Sequence, residues 1–223
     1  MAKIDLARRA EIGREKRART RAQILEAAEI LLAERPPEAL TVDAIVSAAG
    51  VAKGTFYYHF QSIEDLTAAV GTKLGESFDD LLGPARLSIG DPIARLSFGL
   101  TKFLDKAIAD ALWARLVIQS AQAPTGVSHT IRANLKADLA EAITQQRVSL
   151  QDPELAADIV IGIWLQVVRG TLDRRAAPNL AGEVVEAALR ALGVTQPEAR
   201  RSQTSLPQRG SYKGQSKRRR GRH

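Results

Sequence analysis

Cysteine is absent from the 223-residue chain, so disulfide frameworks and thiolate metal sites are excluded from the start. Histidine is nearly as scarce, with only His59, His129 and His223. No two of them stand at ligand spacing, and no acidic cluster accompanies them, so no metal-binding residues are nominated. Aromatic side chains make up only 4 % of the sequence. No apolar stretch approaches the roughly 20 residues needed for a membrane span. The most apolar run, Ile159 to Val168, falls well short, and the N-terminus is charged, without an apolar signal core. A cytoplasmic chain away from membranes is the expectation. Alternating β patterns and hairpin dipeptides are also missing, whereas apolar residues recur at i, i+3 and i+4 spacing. The fold class read from this is all-α.

What the chain does have is charge at its ends. The formal net charge is +7. Counted along the sequence, residues 1–21 carry +5, residues 195–223 carry +8, and the stretch between them carries −6. An acidic body with two basic ends favours a polyanionic partner, most simply nucleic acid, although solvated basic tails are equally common.

Helix punctuation divides the chain. Residues 1–19 read as a basic arm. The first helix is expected from Thr20, where Thr20-x-x-Gln23 has a capping-box pattern, to the stop at Pro36 and Pro37. A second helix follows Thr41 and breaks at Gly50, a short third covers about Lys53 to Phe60, and a fourth runs from Ser62 to about Leu82. After Gly83-Pro84, five more are expected, at about 91–107, 109–122, 127–150, 153–174 and 179–192. Gly193 reads as the residue closing the last. Beyond it the Gly-, Ser-, Gln- and Arg-rich segment 195–223 reads as disordered.

The stretch that carries function is Thr41 to Phe60, TVDAIVSAAGVAKGTFYYHF. Two short helices around a glycine turn are the sequence form of a helix-turn-helix. Phe56 and Phe60 are four apart and face inward with Ile45 and Val51. The other face bears Gly54, Thr55 and Tyr58, flanked by Lys53, Tyr57 and His59. A helix fits the major groove with its N-terminal residues at base edges and phosphates. Lys53 and His59 suit phosphates. Thr55 suits either, Gly54 allows close backbone approach, and the two tyrosines combine a hydroxyl with a ring able to touch a thymine methyl.

These residues also carry a resemblance. The block Gly50-Val51-Ala52-Lys53-Gly54-Thr55-Phe56-Tyr57-Tyr58-His59-Phe60, with Thr41 before it and Glu64-Asp65-Leu66 after it, resembles the tetracycline-repressor (TetR) family. The likeness is specific over about residues 20–70. It implies a homodimeric, ligand-responsive regulator, usually a repressor. No Ser-His-Asp elbow or paired-carboxylate signature supports an enzyme, and no cofactor is expected. DNA contacts would fall on Thr41, Lys53, Gly54, Thr55, Tyr57, Tyr58 and His59. Ala52 departs from the usual capping Ser or Thr, and Ile63 stands where Lys is frequent.

The reading is then a helix-turn-helix domain at 20–65 and a helical regulatory and dimerisation domain at 66–194. The operator would be near-palindromic, with reading helices about 34–36 Å apart. Segment 153–174 is apolar on nearly all sides, so with 179–192 it would pair with a second copy. Val168 and Leu189 are candidates for the partner-facing side, and periodicity leaves the choice open. An apolar pocket for an unknown small apolar ligand is expected among 91–174. Phe98, Phe103, Trp113, Gln119, His129 and Trp164 are nominated for it. The alternative is a constitutive architectural DNA binder relying on its basic ends. No catalytic residues are nominated.

Overall fold

The computed structural model describes residues 2–121, 128–173 and 177–204. Among them are ten α-helices, one short 3-10 helix and no strand. Three helices and part of a fourth form the N-terminal unit: α1 (Ala2–Glu34), α2 (Val42–Ala49), α3 (Lys53–His59) and the start of α4 (Ile63–Leu87). The second unit contains the rest of α4 together with α5 (Pro92–Ala109), α6 (Ala111–Ser120), α7 (Ser128–Thr144), α8 (Pro153–Asp173), α9 (Leu180–Ala191) and α10 (Gln196–Thr204).

Most starts follow local capping chemistry. The side chains of Thr41, Ser62, Asp91 and Asp110 accept from the backbone N–H of Ala44, Asp65, Ala94 and Trp113. Asp152 accepts from the Glu154 N–H at 2.9 Å just before Pro153 opens α8. Gly50 ends α2 with φ +65°, and Gly193 closes α9 with φ +91°. A side chain at Gly193 would also press on Ser149, meeting its Cβ at 2.6 Å and its backbone N at 3.0 Å.

Three expectations are corrected. Thr20 starts no helix: α1 already runs through residues 2–19, and the Thr20 hydroxyl donates back to the Lys16 carbonyl at 3.0 Å. Ala, Arg, Glu and Lys dominate that segment, and the Glu11–Arg14 ion pair spans one turn, so the helix continues without a cap. The basic arm is therefore part of a rod roughly 50 Å long at 1.5 Å per residue. Second, α4 does not end at Gly83-Pro84 but continues to Leu87, with Pro84 in its last turn. Third, the segment from 195 is not disordered throughout. Residues 196–204 form α10, where Ala199 and Ser202 are buried against α5 and α9. Residues 205–223 of that segment lie outside the described residues.

Two cores result. Ile24, Ala28, Leu32, Leu40, Ile45, Phe56, Phe60, Leu66 and Val70 pack the helix-turn-helix, joined by Leu116 from α6. Phe78, Leu82, Phe103, Trp113, Leu139, Trp164, Val168 and Leu189 belong to the other. Helix α4 contributes to both, with Leu66 and Val70 in the first and Phe78 and Leu82 in the second. It is one stiff element shared by the two units.

Val168 and Leu189 are fully buried within the chain itself, so neither lies on an outward face. Helix α8 is long and apolar enough by composition to cross a membrane, yet only 28 % of its most apolar window is buried. Its inner side holds Ala156, Ala157, Val160, Trp164 and Val168. The side turned away carries Leu155, Ile159, Gly162, Ile163 and Gln166, all exposed or half-exposed. Glu154 and Asp158 on the same helix pair with Arg132 and Lys136 of α7. The chain's own core thus covers only one side of this apolar helix.

Candidate DNA-reading surface and ligand cavity

Thr41 sits at the N-cap of α2, its hydroxyl oxygen occupied by the Ala44 N–H at 3.2 Å. In the first turn of α2, Asp43 holds the Lys53 ammonium at 3.0 Å. This hydrogen bond and the Asp43 charge raise the Lys53 pKa. Lys53 therefore stays charged, but a phosphate must compete with Asp43 for it. Helix α3 begins at Ala52 without a side-chain cap. Ile63 is half-buried against the helix-turn-helix core, so it serves packing at the position where the family often has a lysine.

Phe56 and Phe60, facing inward, leave the rest of α3 outside. Tyr57 and Tyr58 are 54 % and 68 % exposed, large for aromatic groups that no neighbour covers. The Tyr57 ring rests edge-on against Phe56, and Tyr58 rests edge-on against His59. Burial lowers the His59 pKa, and the nearby Arg21 and Arg17 charges add to this. A groove runs between α1 and α3, lined by Gly13, Lys16, Arg17 and Thr20 on one side and Gly54, Thr55, Tyr58 and His59 on the other. Four of the seven nominated DNA-contact residues thus share one cationic groove with the N-terminal half of α1. The basic charge of residues 1–19 points to nucleic acid from the sequence alone, but its place on a continuous helix that walls this groove does not, because the cap-like Thr20 suggests a later start.

In the second unit a cavity of about 510 Å³, its mouth included, lies among α4, α5, α7 and α8. Its apolar wall includes Phe78, Leu82, Leu96, Leu100, Leu135 and Trp164, and its polar wall is Asp79, Arg86, Arg95, Asn134 and Asp138. A second cavity, about 370 Å³ with the open space at its mouth included, is lined by Phe103, Val117, Ala121, Ile131, Ile161, Trp164 and Leu165. Ile131 and Trp164 line both. Of the six residues nominated for a ligand, Phe103 and Trp164 line these spaces, and Phe98, Trp113, Gln119 and His129 line neither. Phe98 is buried beneath Lys102, Trp113 packs on Phe103 at 4.6 Å, Gln119 is half-buried, and His129 is exposed in the first turn of α7.

The polar wall was missed altogether. Asp138, 4 % exposed, bridges Arg86 at 2.7 Å and Arg95 at 2.8 Å. Arg95 also donates to the Ile89 and Gly90 carbonyls and to Glu141. A helical signal was present: Asp79 and Arg86 are two turns apart on α4, and Asn134 and Asp138 are one turn apart on α7. Among the described residues, no group of three or more His, Asp or Glu is placed to hold a metal ion.

This architecture, a helix-turn-helix joined through one long helix to a helical body with internal cavities, is that of a DNA-binding regulator. The tetR family of bacterial regulatory proteins matches residues 24–70, and a tetracyclin repressor-like C-terminal domain matches residues 91–203. The chain belongs to the tetR family and is a DNA-binding transcriptional regulator. It is similar to the HTH-type transcriptional repressor KstR of Mycolicibacterium smegmatis, 27 % identical over 199 residues that span 86 % of this chain and 96 % of that one. The HTH-type transcriptional regulator TtgR of Pseudomonas putida is 33 % identical over 107 residues, 46 % of this chain and 50 % of that one. Among solved structures, RolR in complex with the ligand resorcinol superposes with TM-score 0.70 at 26 % identity, covering 87 % of this chain and 98 % of that one.

Proposed function

We propose that the chain is a homodimeric cytoplasmic repressor, without catalytic activity, that leaves a near-palindromic operator when a small molecule fills its helical body. The observation that carries this reading is the pairing, in one chain, of an exposed Tyr57-Tyr58 reading face with a mostly apolar cavity. The neighbour RolR, described with resorcinol, supports the small-molecule half. The architectural alternative is disfavoured, since a matched regulatory domain is more than a basic-ended DNA binder needs.

Thr41, Lys53, Gly54, Thr55, Tyr57, Tyr58 and His59 make the DNA contacts, and Lys16 and Arg17 of α1 add phosphate contacts along the shared groove. Phe103 and Trp164 are the ligand contacts retained from the sequence. Coupling runs through α4 and α6. On α6, Leu116 is packed in the DNA-domain core while the next residue, Val117, lines the second cavity. A ligand releases DNA only by binding the released state more tightly, so operator and ligand weaken each other by the same factor.

Tyr57→Ala and Thr55→Ala should each weaken binding to a selected operator by about 1–3 kcal/mol. Lys53→Ala should weaken operator and random DNA alike and reduce the salt slope by about 1. Fluorescence anisotropy titrations on both DNAs separate these patterns. Wild-type operator affinity in the Tyr57 and Thr55 variants would remove α3 from its role.

His59 adds a pH signature. Its pKa is lowered in the free protein, and a phosphate beside it would raise it again, so the complex binds more protons than the free protein. Operator affinity should therefore increase as pH falls below about 6.5, and the increase should be smaller in His59→Gln. The same slope in wild type and variant would show that His59 meets no phosphate.

A further inference from the structure

The first cavity is bordered by hydrogen-bonding capacity that the fold leaves unused. Trp164 is 6 % exposed, and its buried indole N–H has no partner. Arg86 makes both its hydrogen bonds through Nη2, to the Asn134 carbonyl at 3.2 Å and to Asp138 at 2.7 Å. Its Nε and Nη1 hydrogens have no partner among the described residues. Asp79 accepts at Oδ1 from the Asn134 amide at 2.6 Å, which leaves Oδ2 open. Of these groups the Trp164 N–H is the one buried without a partner, while the open positions of Arg86 and Asp79 belong to residues of the same lining and are free to meet water or a ligand. A buried donor without a partner is costly, so the site is built for a group that supplies one.

Charge narrows the class. The lining sets Arg86 and Arg95 against Asp79 and Asp138, so its formal charges already cancel. Both Asp138 oxygens and most of the Arg95 fork are committed to each other, to Glu141 and to backbone carbonyls. An entering carboxylate or phosphate would lose its water beside Asp79 and Asp138, and the Arg86 and Arg95 charges are already balanced by carboxylates, so no net positive charge replaces that water. A hydroxyl gives what is missing without that cost, because it donates and accepts at the same oxygen.

We propose that this cavity takes a compact, uncharged, hydroxylated ring compound of the phenol class. Its O–H donates to Asp79 Oδ2, and its oxygen accepts from Arg86 or from the Trp164 indole. The ring lies against Phe78, Leu82, Leu100 and Leu135. The assignment rests on the ligand-responsive reading above and adds the chemistry of the ligand to it.

The test uses the full chain carrying Trp113→Phe, which leaves Trp164 as the sole indole reporter. Three probes share a ring: resorcinol, 1,3-dimethoxybenzene and benzoate. Resorcinol should quench Trp164 and bind about tenfold or more tightly than the dimethyl ether, which has no O–H to give, with benzoate weaker still. Asp79→Asn keeps an oxygen for Asn134 but replaces the open acceptor by a donor. It should weaken resorcinol about tenfold and 1,3-dimethoxybenzene, which gives no O–H to Asp79, much less. Equal binding of resorcinol and its ether, tighter binding of benzoate, or an unaltered resorcinol affinity in Asp79→Asn would overturn the proposal. A wider apolar and aromatic library separates the two levels. A charged or hydroxyl-free compound that quenches Trp164 and releases operator refutes the phenol class but upholds ligand control. A library with no compound that does either refutes both.

Discussion

Replacing Asp138 by Asn should destabilise the chain by about 3–5 kcal/mol, because it removes the carboxylate shared by two largely buried guanidinium groups. The amide fills the same space but offers one neutral acceptor where two charged ones stood. Arg95 keeps Glu141 and two backbone carbonyls. Arg86 keeps only the Asn134 carbonyl, so the loss falls mainly on Arg86. At roughly 2–4 °C per kcal/mol for a chain of this size, the melting midpoint should drop on the order of 10 °C. Urea denaturation checks the magnitude, with the midpoint shifted and the slope unchanged. A loss below about 1 kcal/mol would mean that water already screens the cluster. Arg86 sits in the last turn of α4, whose first turns pack the helix-turn-helix core, so the same variant should also loosen the far end of the element that joins the two units.

Why this cluster escaped the sequence, while the reading helix did not, has a physical basis. The helix-turn-helix is local. Thr41, Gly50, Phe56 and Phe60 fall within twenty residues, and each makes its structural statement to near neighbours, as a cap, a left-handed turn or an inward ring. The caps at Ser62 and Asp152 and the closing Gly193 were legible for the same reason. The cavity is not local. Its polar wall brings Asp79 and Arg86 of α4 to Asn134 and Asp138 of α7, some fifty residues away, and no single helix reveals that meeting. Choosing aromatic residues by type found Phe103 and Trp164 but also Trp113 and Phe98, whose rings fill the core. Local signals also misled where helix propensity ran through them. Thr20 resembles a cap but is flanked by strong helix formers, and Pro84 resembles a stop but falls in a last turn, where one lost backbone bond is tolerated. Segment 196–204 looked too polar to order, yet Ala199 and Ser202 share one side and suffice to seat it on α5 and α9.

Placing an arginine at Gly162 should convert the protein from a dimer to a folded monomer. Gly162 lies midway along the outward stripe of α8, between Ile159, Ile163 and Gln166. A Cβ built there meets nothing within 4 Å, so the chain itself has room for the new side chain. Arginine also favours a helix interior over glycine by about 1 kcal/mol, so the isolated subunit should lose no stability. Across a helix-to-helix contact the same change is severe, since it fills the closest approach and buries an unpaired charge. Val168→Glu provides the contrast. Val168 is fully buried inside the subunit, so its charge should unfold the chain instead of parting two copies. Sedimentation velocity with circular dichroism distinguishes the outcomes: Gly162→Arg monomeric and helical, Val168→Glu aggregated or unfolded. A monomer must find each half of a palindrome separately and loses the high effective concentration that linkage gives the second half. Operator affinity should therefore fall by about 10²–10⁴-fold while affinity for a single half-site stays the same. A Gly162→Arg protein that remains dimeric at micromolar concentration would move the interface off this face of α8.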